Sequence, residues 1–92
     1  MTKEEAEKLS LLILRINSLL DQSVAFVQDK NCANLFDDYK LIVGKIMGSL
    51  YLDIEEPIWS EFPELRPVQM DGPYEVDPSV FEPRFYDGSI DE

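Results

Sequence analysis

The side chains with chemical potential in this chain are almost all carboxylates. Nineteen of its 92 residues are Asp or Glu, one is cysteine, and none is histidine. Without histidine, the commonest general base and transition-metal ligand is missing. Cys32 has no imidazole partner and falls in an expected loop, so it lacks the base that activates a thiol nucleophile. A zinc site has no ligand set, and no phosphate-cradling glycine loop or nucleophile elbow is present. Asp53, Glu55 and Glu56 cluster at an expected helix end, yet Asp53 and Glu55 point to different faces of a helix. Residues 87–92 lack the twelve-residue loop with a closing glutamate that calcium needs. A glycosidase-like carboxylate pair requires a cleft. The residue types therefore predict no catalytic residue, no cofactor and no metal site, and hence no enzyme.

The placement of the charge says more than its amount. The net charge is −11. Residues 1–52 carry seven acids and six bases, whereas residues 53–92 carry twelve acids and two bases, Arg66 and Arg84. Almost the whole field thus belongs to the last forty residues. Such a field disfavours nucleic acid and anionic membrane and favours a protein partner with a basic surface. The candidate partner-binding residues are the tail acids and aromatics Glu64, Asp71, Tyr74, Glu75, Asp77, Glu82, Phe85, Tyr86 and Asp87.

Two helices must position these groups. Thr2 with Glu5 forms a capping box, and the apolar period from Leu9 to Val27 predicts a helix over about 3–29. Lys30 to Asn34 is a short connection, which predicts an antiparallel hairpin. Asn34 is the expected cap of a second helix over about 35–55, closed by Pro57. A short turn or a single helical turn is expected to follow over 57–62. On the second helix Leu35, Phe36, Tyr39, Ile42, Val43, Ile46, Met47, Leu50, Tyr51 and Ile54 share an arc roughly 180° wide. The Ile42–Ile46–Leu50 line is expected to pair with the first helix. Gly44 and Gly48 lie beside this arc, bordered by Leu41 and Leu52, and that strip is expected to receive a tail or a second subunit by close packing.

From Pro63 onward, prolines at 63, 67, 73, 78 and 83 exclude regular helix. The tail over 63–92 still carries enough apolar residues to predict partial docking. The fold class expected is all-α: an antiparallel two-helix hairpin (1–62) with an extended Pro-rich tail. Arcs this wide cannot both be covered by one seam, so tail docking or dimerisation into a four-helix bundle must complete the fold.

The charged N-terminus is unlike a signal peptide, and no uninterrupted apolar stretch reaches bilayer length. A cytoplasmic protein is expected. In general character the run from Tyr39 to Pro67 resembles a small bacterial protein, a resemblance that implies no function. The reading favoured is a non-catalytic acidic interaction module, such as an inhibitor or immunity-type protein, acting as a homodimer. The alternative is an assembly subunit whose apolar helical faces another protein completes.

Overall fold

The structure, a computed structural model, describes residues 1–30 and 33–86. Its regular elements are helical, and the described residues contain no strand beyond one isolated bridge between Pro67 and Tyr74. The first helix, α1, spans Lys3–Asp29. Its start is fixed by the capping box: Glu5 N–H donates to the Thr2 hydroxyl at 3.1 Å, and Thr2 N–H donates to the Glu5 carboxylate at 2.8 Å. That backbone hydrogen bond holds the Glu5 carboxyl below its ordinary range. Glu4 and Glu5 also sit at the positive end of the helix dipole.

The second helix, α2, spans Ala33–Ser49. Asn34 therefore lies within its first turn rather than capping it. Cys32 falls outside the described residues. A π-helical turn over Leu50–Glu55 follows, and α3 (Glu56–Glu61) continues from it without a break. The helix does not stop ahead of Pro57, as the sequence predicts. Proline normally clashes with the carbonyl four residues back and forfeits a hydrogen bond. Here the chain switches to five-residue spacing, with Glu56 N–H donating to Tyr51 O. That wider turn, together with the position of Pro57 in the first turn of α3, accommodates the ring.

The second helix also turns a different line inward. Val43 is buried and Phe36, Tyr39, Met47 and Leu50 are half-buried, while Leu35, Ile42 and Ile46 are exposed. The Ile42–Ile46–Leu50 line is thus split, because a single partner helix covers only about half of so wide an arc. On α1 the buried residues are Ala6, Ser10, Ile13, Gln22 and Val27, and Leu12, Leu19 and Phe26 remain exposed. Three hydrogen bonds tie α1 to the segment after it: Tyr39 to Ser23 at 2.8 Å, Asn17 to Glu55 at 3.0 Å and Trp59 to Ser10 at 2.9 Å.

The core sits where α3 meets the start of α1. Ala6, Ile58, Trp59 and Leu65 are buried together, with Leu9, Leu14, Tyr51, Ile54, Phe62 and Tyr74 packed around them. Beyond Phe62 the chain makes 3₁₀ turns at Pro63–Leu65, Val68–Met70 and Pro78–Phe81. Between the first two and Tyr74 it folds into a tight loop. Val68 N–H donates to Tyr74 O, Tyr74 N–H to Arg66 O and Gly72 N–H to Pro67 O. A Cβ at position 72 would lie 2.0 Å from Arg66 O, so only glycine fits there. Asp71 takes the left-handed conformation that starts the reversal, with φ 64°.

Although no apolar run is unbroken, α1 as a whole is long and apolar enough, by length and composition, to cross a membrane. Its interior polar residues Arg15, Asn17 and Gln22 all hydrogen-bond within the chain.

Candidate functional site: an acidic strap and the Glu55 cleft

The tail lies along α1, not along the glycine strip of α2. Arg15, Gln22 and Asp29 recur every seven residues on α1 and hence form one row along it. Each of them holds the tail. The Arg15 guanidinium donates to Val80 O at 3.1 Å and to Glu82 O at 2.8 Å. Tyr86 N–H donates to the Gln22 side-chain oxygen at 2.8 Å, and the Tyr86 hydroxyl donates to Asp29 at 2.6 Å. The Tyr86 ring meets Phe26 edge-on at 5.3 Å. Nearer the start of α1, the Tyr74 hydroxyl donates to Glu7 at 2.5 Å. This bond to a carboxylate, with burial second, pushes the Tyr74 phenol up to about 12.

These anchors engage two of the candidate partner-binding residues within the chain. Tyr74 and Tyr86 are engaged because each phenol hydroxyl donates to a carboxylate on α1, Glu7 for Tyr74 and Asp29 for Tyr86. Glu64, Asp71, Glu75, Asp77 and Glu82 all face solvent, and Phe85 is 88% exposed. Glu64 pairs loosely with Lys3 at 3.4 Å, and its carboxyl is lowered first by its own backbone amide and then by Lys3. Asp77 caps the last 3₁₀ turn by accepting from Ser79 N–H, which lowers its carboxyl too. Asp87 lies outside the described residues.

The close-packing strip is open within the chain. Leu41 and Leu52 are 66% and 64% exposed. A Cβ on Gly44 or Gly48 would meet nothing within 4 Å. The tail does not dock there because its hydrogen-bonding partners stand on α1.

A second feature lies at the join of the helices. A cleft of about 240 Å³ opens between Leu14 and Asn17 on α1, Met47 on α2, Tyr51 and Glu55 on the π turn, Trp59 on α3, and Met70. Its walls are apolar and aromatic. Its polar members are Glu55 and Asn17, with Asn17 Nδ2 donating to Glu55 at 3.0 Å. Glu55 is only 3% exposed, and burial, partly offset by the Asn17 bond, pushes its carboxyl up. Asn17 Oδ1 is buried without a hydrogen-bond partner. The neighbouring Glu56 is of the opposite kind. It is bound by Arg66 at 2.5 Å and its carboxyl is lowered by that bond first, then by one from Tyr51. The Arg66 guanidinium also lies 5.5 Å from the Trp59 ring.

Glu55 does not stand out in the sequence because it is one of three acids, Asp53, Glu55 and Glu56, at an expected helix end. The available signal was Asn17, an amide within an apolar helix, which marks a buried polar partner. Among the described residues, no group of three or more carboxylate or cysteine side chains converges to hold a metal ion. No known protein family, curated protein or solved structure matches this chain.

Proposed function

We propose that this chain is a non-catalytic, acidic interaction protein of the inhibitor or immunity type, which binds a basic surface on another protein. The supporting observation is the strap itself. Five solvent-facing carboxylates, Glu64, Asp71, Glu75, Asp77 and Glu82, ride on a segment pinned to α1 by Arg15 and Gln22. A pinned strap loses less entropy on binding than a loose acidic tail. Its field speeds encounter with a basic partner, and that gain weakens with salt.

The finer architecture belongs to the same proposal. Going down α1 from Ser23 to Asn17 to Ser10, the hydrogen-bonded partners climb from Tyr39 to Glu55 to Trp59. This order supports an antiparallel hairpin. In such a hairpin Leu12, Leu19 and Phe26 on α1 project to the same side as Leu35, Ile42 and Ile46 on α2. Two copies joined on that side make a four-helix bundle with the straps outside. The same exposed stripe supports the second reading, an assembly subunit completed by a different protein. The strap of solvent-facing carboxylates held along α1 favours a cytoplasmic helix over a membrane-spanning one, because charges are costly in a bilayer.

The deciding experiment is affinity capture from extracts of the source cell, followed by a salt series on the partner identified. A basic partner whose binding weakens steeply with salt is expected. An acidic partner, or indifference to salt, sinks the proposal. Sedimentation of the pure chain separates the two architectures: a defined dimer fits the first, and aggregation fits the assembly subunit.

A further inference from the structure

We infer that the Glu55 cleft is a receptor for an organic cation, the side chain of a lysine or arginine on the basic partner. This assignment rests on the interaction reading above and gives it a specific contact.

Three observations converge on it. Glu55 is buried at the cleft and, among the described residues, has a neutral amide for its partner and no cation within ion-pair distance. A buried charge without a counter-charge is costly. Glu56, one residue on, already holds Arg66, so the chain supplies a cation to one acid of the pair and leaves the other open. The cleft walls add the aromatic residues Tyr51 and Trp59, the latter with the Arg66 guanidinium 5.5 Å from its ring, and Met47 and Met70, which adapt to an alkyl stem. An anion would be repelled by Glu55, and a neutral apolar guest would leave its charge buried and uncompensated. A side-chain cation satisfies both the carboxylate and the walls. Asp71 adjoins Met70 in the chain and faces solvent, so one exposed carboxylate stands next to a residue of the cleft wall.

The test uses n-butylammonium as the probe, with n-butanol as its uncharged counterpart, at constant ionic strength. Trp59 is the chain's single tryptophan, so its indole N–H resonance reports on the cleft without ambiguity. Butylammonium should shift that resonance saturably, and butanol should bind at least about tenfold more weakly, as expected when a buried charge recognises its counter-ion. Glu55→Gln should remove the preference for the cation while leaving the rest of the spectrum in place. Equal binding of butanol and butylammonium overturns the inference, as does undiminished cation binding by Glu55→Gln. The captured partner separates this inference from the broader one. A salt-sensitive partner that binds Glu55→Gln as tightly as the parent chain overturns the cleft contact alone. A salt-insensitive partner overturns the acidic-surface reading, while the butylammonium titration still judges the cleft.

Discussion

Trp59 donates its indole N–H to the hydroxyl of Ser10 at 2.9 Å, across 49 residues of sequence, with both side chains buried. Ser10 stands one turn from Ala6 on α1, and two small residues in succession leave room for the largest ring in the core. The bond also fixes the position of α3 against α1, and with it one wall of the cleft. Ser10→Ala strips the indole of its partner in a site that excludes water. A loss of about 1–3 kcal/mol is expected, the cost of an unsatisfied buried donor. Trp59→Phe together with Ser10→Ala should lose less than the two single changes summed, because the pair is coupled. Chemical denaturation of the four proteins measures this directly, and strict additivity would show that the bond contributes nothing.

Glu55 gives the chain an unusual pH dependence. Its carboxyl is raised by burial, against the weaker pull of the Asn17 bond. A carboxyl raised in the folded state binds its proton more tightly there than in the unfolded chain. Folded stability therefore falls as pH rises from the ordinary carboxyl value through the raised one, and the penalty persists above it. Glu55→Gln removes the charge and keeps an acceptor for Asn17. The variant should melt higher than the parent at pH 7, and the gap should close below about pH 4, where the carboxyl is protonated in both states. A variant that melts lower at pH 7 would mean that the charge is compensated in the folded chain.

Arg15 holds the strap at two points, since one guanidinium donates to both Val80 O and Glu82 O. Charged hydrogen bonds of this kind contribute roughly 1.5–3 kcal/mol when buried and less when partly exposed, as here. Arg15→Ala is expected to cost about 1 kcal/mol of global stability. Its larger effect should be local: faster amide exchange at Tyr86, whose N–H Gln22 then holds without help, and quicker chymotryptic cutting at Phe81 and Phe85. Unchanged exchange at Tyr86 would show that Gln22 and the Phe26 contact suffice.

The all-α class and the main run of α1 were legible in the sequence because they rest on local signals, namely a capping box and a sustained helical period. The register of α2 was not. Its apolar arc has two nearly equal halves, and the inward half is chosen by Tyr39 reaching Ser23 and by Glu55 reaching Asn17, contacts between residues 16 and 38 positions apart. No period within α2 encodes that choice. The passage through Pro57 was hidden for a related reason: proline rules assume four-residue spacing, and the π turn changes the spacing. In the candidate site, charge composition was enough to place Glu64, Asp71, Glu75, Asp77 and Glu82 in solvent. It could not show that Tyr74 and Tyr86 find carboxylates on α1, since Glu7 and Asp29 lie 67 and 57 residues away.

Gly44 and Gly48 supply the sharpest test of the assembled state. Both lie in α2, where a glycine costs roughly 0.5–1 kcal/mol relative to alanine through the freedom it loses on folding. Within one chain nothing stands within 4 Å of a Cβ at either position. For the isolated chain, Gly44→Ala and Gly48→Ala should each stabilise by roughly 0.5–1 kcal/mol, approximately additively. If a second copy packs its backbone against the Leu41–Leu52 side, the added methyl would collide with it. Thermal melts over a range of protein concentrations distinguish the two cases. A gain that is the same at every concentration leaves the strip uncovered and confines any dimer contact to the Leu12–Leu19–Phe26 side. A gain at low concentration that turns to a loss at high concentration assigns the glycine strip to the interface instead, because the cost then appears only when the two copies meet.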